Sequence, residues 1–304
     1  VNSNTRQIYF IALAVVLGLN FFTTAQADPQ QLDIEKMLKV EGVGNALFDP
    51  SGNWLVYERL RPYDRITDYS FRTYAMRKSG HQLWRKRIGT NEKPELLPGL
   101  DTDPHSYVES FSPSGKYLAV LQYYRGALTL SAYDMEQNTN KTFQATPAFS
   151  RAGEHRPIWI SDDELVFAAL PPGVLPAATS VRAYASHLIS EEWDAAALGD
   201  KVTAHVVRTR HDDESDQREP GSLIRADAAT GEYSTIARGL YADLRLSHDG
   251  RRLAALAMSK PRPVEPDAPT EMDSRRYTLS VFDLASGQEK KLAPEYEFFP
   301  YTIT

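Results

Sequence analysis

The apolar positions of Ser110–Tyr124 (SFSPSGKYLAVLQYY) alternate between two faces of an extended chain, with Tyr117, Ala119 and Leu121 on one and Leu118 and Val120 on the other. Ahead of them stands a polar Ser-Pro-Ser-Gly, so the stretch reads as a turn feeding a β-strand. The phrase returns in altered form as Leu47–Glu58 (LFDPSGNWLVYE), Trp159–Leu170 (WISDDELVFAAL) and Arg245–Ala257 (RLSHDGRRLAALA). In the third copy Asp163-Glu164 replaces Ser-Gly or Asp-Gly, and its turn must close without glycine.

A second piece follows each phrase: an alternating strand, a turn that usually contains Asp, and another short strand. These pieces are Leu83–Leu97, Leu130–Phe143, Leu223–Ala237 and Leu279–Ala293. Asp227 and Gly231 in one match Asp283 and Gly287 in another, both 56 residues further on. One unit is therefore two hairpins in series, or four short strands. The spacing of units is irregular because insertions interrupt them, at Arg61–Ser79 in the first, Pro171–Val202 and Arg208–Pro220 in the third, and Pro261–Arg275 in the fourth. Loops absorb such length changes at small entropic cost.

Repeated four-stranded units predict an all-β chain built as a β-propeller, with four blades countable; a β-sandwich would predict no internal repeat. Glu297–Thr304 (EFFPYTIT) reads as the first strand of a fifth unit, so the propeller is expected to be incomplete and the sequence to be the front portion of a longer protein. Leu32–Val40 suits a short helix before the first blade. Ala178–Ala197 is the one other helical stretch, a short insertion with Val181, Tyr184, Leu188 and Trp193 on one face.

The N-terminus changes the picture of where the chain works. Arg6, an apolar run from Ile8 to Phe22 and Ala25-Gln26-Ala27 have the form of a secretory signal peptide over residues 1–27, leaving residues 28–304 as the mature propeller segment in the periplasm of a Gram-negative bacterium. An uncleaved membrane anchor is the competing reading of that run; after cleavage no membrane contact is expected. The sequence has no cysteine, which removes disulfides, thiolate metal sites and a cysteine nucleophile. A net charge of −6 argues against a nucleic-acid partner.

Candidate chemistry is sparse. No Gly-x-Ser-x-Gly elbow occurs, the seven histidines form neither His-x-His nor His-x-x-x-His, and there is no phosphate-binding glycine loop, so no catalytic triad, metal site or cofactor is expected in this segment. Glu191, Glu192 and Trp193 on the inserted helix could bind the amino group or a cationic side chain of a peptide; a plain solvated helix surface is the alternative. His211-Asp212-Asp213-Glu214 could hold a cation weakly, or be only solvated. Tyr63, Tyr69, Phe71 and Tyr74 with Arg61, Arg65 and Arg72 form an aromatic-cationic group in the first insertion, suited to ligand contact or to packing on a neighbouring domain.

The signal peptide, the short helix and the repeated S-P-S/D-G and D-x-x-S/T-G hairpins resemble the N-terminal propeller of the prolyl oligopeptidase family of serine peptidases. More narrowly, VEGVGNALFDPSGNWLVYERLRPYD, SFRTYAMRKSGHQLW and PGLDTDPHSYVESFSPSGKYLAVLQYYRG are similar to the lasso peptide isopeptidases of proteobacteria. The resemblance implies a propeller that gates substrate for a C-terminal α/β-hydrolase domain carrying a Ser-Asp-His triad. The full-length protein would then hydrolyse peptide or isopeptide bonds, linearising threaded peptides. None of the triad positions falls within residues 1–304, so the segment alone is expected to be inactive. A non-catalytic periplasmic propeller serving as a binding scaffold is the alternative function.

Overall fold

A computed structural model of the chain describes residues 33–68, 80–124, 127–148, 156–174, 193–200, 221–258 and 277–292. Residues up to Val40 and residues from Glu41 onward are separate compact units. The first holds helix α1 (Ile34–Leu38), capped by Asp33, whose carboxylate accepts the Glu35 N–H. The expected entry helix is thus present, shorter than the Leu32–Val40 stretch.

The described residues of the second unit form four antiparallel meanders. The first is β1 (Gly42–Phe48), β2 (Trp54–Leu60), β3 (His81–Arg87) and β4 (Glu95–Leu96). The second is β5 (His105–Phe111), β6 (Tyr117–Tyr124), β7 (Ala127–Asp134) and β8 (Thr139–Thr142). In the third, β9 (Thr146–Pro147) and β10 (Ile158–Trp159) both pair with β11 (Glu164–Leu170), which is followed by β12 (Ser222–Asp227) and β13 (Tyr233–Arg238). The fourth is β14 (Tyr241–Leu246), β15 (Arg252–Met258), β16 (Tyr277–Asp283) and β17 (Glu289–Leu292). These are propeller blades, and each spans one unit of the sequence repeat. The first strand of blade 3 is broken in two, because β9 faces Ala169-Leu170 while β10 faces Leu165-Val166. The repeat does not announce that break.

The two faces of each central strand pack against different neighbours. Tyr117, Ala119 and Leu121 join Trp159, Leu165, Phe167 and Ile224 in the core between blades 2 and 3. Leu118 and Val120 join Val56, Leu83 and Tyr133 in the core between blades 1 and 2. A third core holds Val166 and Leu223 of blade 3 with Leu253 and Phe282 of blade 4. Apolar residues on both faces are therefore what a sheet stacked between two sheets requires.

Side chains that cap turns set the register. Asp49, Ser112 and Ser247 each accept, through a side-chain oxygen, the N–H of the residue five positions on: Trp54, Tyr117 and Arg252. Three residues after each cap stands Gly52, Gly115 or Gly250, with φ between 68° and 82°, a conformation that glycine adopts without strain. The glycine-free copy solves the problem by shortening. There the Ile160 N–H donates to the Glu164 carbonyl, and Ser161 Oγ accepts from Asp163 and Glu164 N–H.

The second hairpin turn is capped by Asp134, Asp227 and Asp283, each accepting two backbone N–H groups at Oδ1. The N–H and hydroxyl of Thr230, with the Ala229 N–H, hold the Asp227 carboxyl below its ordinary range. A carboxyl with a depressed folded pKa contributes stability above its unfolded value near 4, lost as pH falls through the folded value. Asp227→Ala is expected to cost about 1 kcal/mol at pH 7, and the gap from the parent should be smaller at a pH below the ordinary carboxyl value of about 4. Urea titrations at the two pH values measure it; a gap that does not change with pH would refute the account.

Candidate functional site

A meander places its β1–β2 and β3–β4 turns at one end of a blade and its β2–β3 connection at the other. The three longest insertions in the described blades leave from the second end. Residues 61–80 join β2 to β3, residues 171–221 join β11 to β12, and residues 259–276 join β15 to β16. The turns at the opposite end, described above, are short. Blade 2 alone keeps a tight β2–β3-type connection, between Tyr124 and Ala127.

Around the first insertion, blades 1 and 2 build a polar cluster whose innermost members are buried. The backbone N–H and Nε of Arg61 both donate to the Gly80 carbonyl, while Nη1 donates to Thr102 O and Nη2 to Asp103 O. Gln122 donates to Ser106 Oγ at 2.9 Å and reaches Asp101 O. His105, the first residue of β5, is fully buried and lies beside the Tyr123 ring at 6.2 Å. Its Nδ1 accepts the Gly80 N–H, and its Nε2 sits 2.9 Å from Asp68 O. An amide can only donate and a carbonyl only accept, so the ring is the neutral Nε2–H tautomer. Burial, more than any other influence, pushes its pKa down, with Arg61 adding to the effect.

Deeper in the same junction lies Glu58, with no exposed surface. Its Oε2 accepts the Asn45 N–H of β1 at 2.9 Å and its Oε1 the Val108 N–H of β5 at 3.2 Å. β1 and β5 are each bulged beside these residues. A bulge frees backbone N–H groups from the ladder, and one carboxylate serves both strands. Gly44 leaves room for it: a Cβ there would lie 2.3 Å from Glu58 Oε2 and 3.0 Å from Glu58 Cβ, and would displace the carboxylate. Tyr107 packs edge-on to His81, and burial followed by the Glu58 charge drives its hydroxyl pKa upward.

At the turn end, blades 1 and 2 leave a cleft of about 560 Å³ lined by Asp49, Trp54, Arg85, Arg87, Lys116 and Glu136, among others. Arg85 and Arg87 stack on Trp54 at 4.7 and 5.7 Å. Arg87 stands where the other blades carry the turn-capping Asp. Of the other charges, Arg85 pairs with Glu95 and donates to Asn138, Lys116 pairs with Asp163, and Asp49 accepts the Trp54 N–H. Between blades 2 and 3 the matching space is closed by Tyr117 stacked on Trp159, at 6.2 Å and 9°.

Of the residues singled out in the sequence, Trp193 begins a helical segment at 193–197 and is 75 % exposed. Glu191 and Glu192, the His211–Glu214 run, Tyr69, Phe71, Arg72 and Tyr74 lie outside the described residues, as do residues 1–27 and Glu297–Thr304. Tyr63 and Arg65 sit on a single 3-10 turn, Tyr63–Arg65, with Tyr63 exposed. Among the described residues no cluster of three or more His, Asp or Glu is placed to hold a metal ion. No helix among them is long and apolar enough to cross a membrane. Sequence reading missed Glu58 and His105. Glu58 carried a signal, since the matching positions of the other blades are Leu121, Ala168 and Leu256.

No protein-family model matches the chain, and no curated protein matches it. Among solved structures it is similar to an acylaminoacyl peptidase in complex with Z-Gly-Gly-Phe-chloromethyl ketone, at 12% identity and TM-score 0.45, covering 86% of this chain and 33% of that one. It is also similar to the β-propeller domain of the Trilobed protease from Pyrococcus furiosus, at 11% identity and TM-score 0.44, covering 86% and 60%. For TolB from Acinetobacter baumannii the figures are 13%, 0.37, 84% and 44%. The chain spans less than two thirds of the length of each.

Proposed function

We propose that this chain is the substrate-gating, non-catalytic propeller of an exported serine peptidase of the prolyl oligopeptidase type, and specifically of a lasso peptide isopeptidase. The observation that carries this reading is that all three long insertions of the described blades leave from one end. That asymmetry suits a surface facing a reaction chamber, and the likeness of the first 130 residues to lasso peptide isopeptidases supports it. In the full-length protein a following α/β-hydrolase domain would supply the serine nucleophile, its histidine base and the oxyanion-binding N–H groups. The propeller would limit entry to chains that fit between the inserted loops, with Glu191, Glu192 and Trp193 holding a substrate cation. The periplasm is the proposed site of action.

The test is made on the full-length protein, incubated with a threaded lasso peptide and with linear proline-containing peptides, with products read by mass spectrometry. Gain of one water and loss of the threaded form is the expected result. Cleavage of the linear peptides alone would move the protein to the ordinary oligopeptidases, and a gene that continues into no hydrolase domain would make it a binding scaffold. Glu191→Gln with Glu192→Gln should raise KM several-fold at unchanged kcat; unchanged KM would return the pair to a solvated surface.

A further inference from the structure

We infer that His105 is a pH-sensitive latch that fastens the stem of the β2–β3 connection of blade 1 onto blade 2. The inference stands apart from the peptidase reading, because it concerns only how the propeller holds its own loop. One imidazole bonds both sides of the connection: Gly80 N–H donates to Nδ1, and Nε2–H donates to Asp68 O at 2.9 Å. Residues 68 and 80 are twelve positions apart in the chain and meet at one ring, so a single group holds both ends of that span. Ile66 completes the joint: a Cβ on Gly80 would meet its Cδ1 at 2.8 Å, so Ile66 packs directly on the Gly80 backbone.

Protonation has one defined consequence. Both ring nitrogens of an imidazolium are donors, so Nδ1–H would confront the Gly80 N–H and that bond is lost. The bond from Nε2–H to Asp68 O survives, and the release is therefore local to the Gly80 side. The charged and titratable groups that act on or lie beside the ring are Arg61 and Asp68 on the connection and Tyr123 on β6; His81 follows Gly80 in the chain, and the exposed Asp101 and Asp103 precede β5. Arg61 opposes a second positive charge at this point and Asp68 favours it. Arg61 also donates to the Gly80, Thr102 and Asp103 carbonyls, so the Gly80 carbonyl stays held while its N–H bond to the ring switches.

The size of the effect follows from linkage. A latch that opens to expose a histidine of ordinary pKa, about 6.5, while the closed ring stays neutral, has an opening constant that grows by a factor of 1 + 10^(6.5 − pH). Between pH 7.5 and pH 5.0 that is a rise of up to about thirty-fold.

Hydrogen exchange of the full-length protein, read on the peptide containing Gly80 and corrected for intrinsic rates, measures this directly. The expected result is a loss of protection on the order of ten- to thirty-fold from pH 7.5 to pH 5.0 in the parent. In His105→Gln, whose amide can offer an oxygen to Gly80 and an N–H to Asp68 but cannot titrate, protection should be independent of pH. Protection that does not change with pH in the parent, or an equal loss in the Gln variant, overturns the latch. Should the variant not fold, nitrogen chemical shifts of the His105 ring in the parent decide: an Nε2–H tautomer at pH 7.5 that titrates together with Gly80 exchange supports it, and Nδ1 protonation at pH 7.5 overturns it.

Discussion

Glu58→Ala is expected to lower stability by about 3 kcal/mol or more, which for a domain of this size is a fall in Tm of roughly 6–12 °C. The carboxylate is fully buried and accepts from Asn45 and Val108, on the first strands of two different blades. Alanine leaves both N–H groups without an acceptor, at about 1–3 kcal/mol each, and opens a void besides. The relief of no longer burying a charge offsets part of that sum. Glu58→Leu separates the two contributions. It refills the volume with the residue type that blades 2 and 4 carry at this position, but supplies no acceptor. Thermal unfolding should place it between Ala and the parent. A Leu variant as stable as the parent would show that the acceptor role is worth nothing.

The second large effect is expected at the next junction. Trp159→Ala should cost about 3–5 kcal/mol, in the range of buried aromatic truncations. The indole is 7 % exposed, lies flat against Tyr117 across the blade 2–blade 3 boundary, and donates Nε1–H to the Ser110 carbonyl. Truncation removes the stacking, worth about 0.5–1.5 kcal/mol beyond area, and leaves Ser110 O to find water. Trp159→Phe keeps most of the apolar contact and should cost less than half as much. The urea midpoint of each variant reads the difference. Equal losses for Phe and Ala would mean that the hydrogen bond, not the packing, is what Trp159 contributes.

The blades were legible because their turns are local. A side-chain oxygen capping an N–H five residues on, and a glycine at positive φ, need only a short stretch of chain, so four copies of one phrase counted out four sheets. Even the faces of β6 could be assigned from alternation, since Leu118 and Val120 meet one neighbour and Tyr117, Ala119 and Leu121 the other. The polar cluster was not legible, because it is assembled from distant residues. His105 meets Gly80 and Asp68, 25 and 37 residues away, and Glu58 meets Val108, 50 residues away. A histidine opening a strand has no local pattern that marks it as a staple. The broken first strand of blade 3 escaped for a similar reason: β9 and β10 are two residues each, too short to show a period.

Each of the three interblade cores is built by two adjacent sheets, and the first two are fastened by different means: a buried carboxylate between blades 1 and 2, and an aromatic stack with the Lys116–Asp163 pair between blades 2 and 3. Such a chain is expected to follow nearest-neighbour energetics, in which free energy is a sum of blade and junction contributions. Cooperativity is then set by the weakest junction rather than by the average. Damage at one boundary would detach whole blades as folding units, so variants of Glu58 and Trp159 should partition the protein at different points along its sequence.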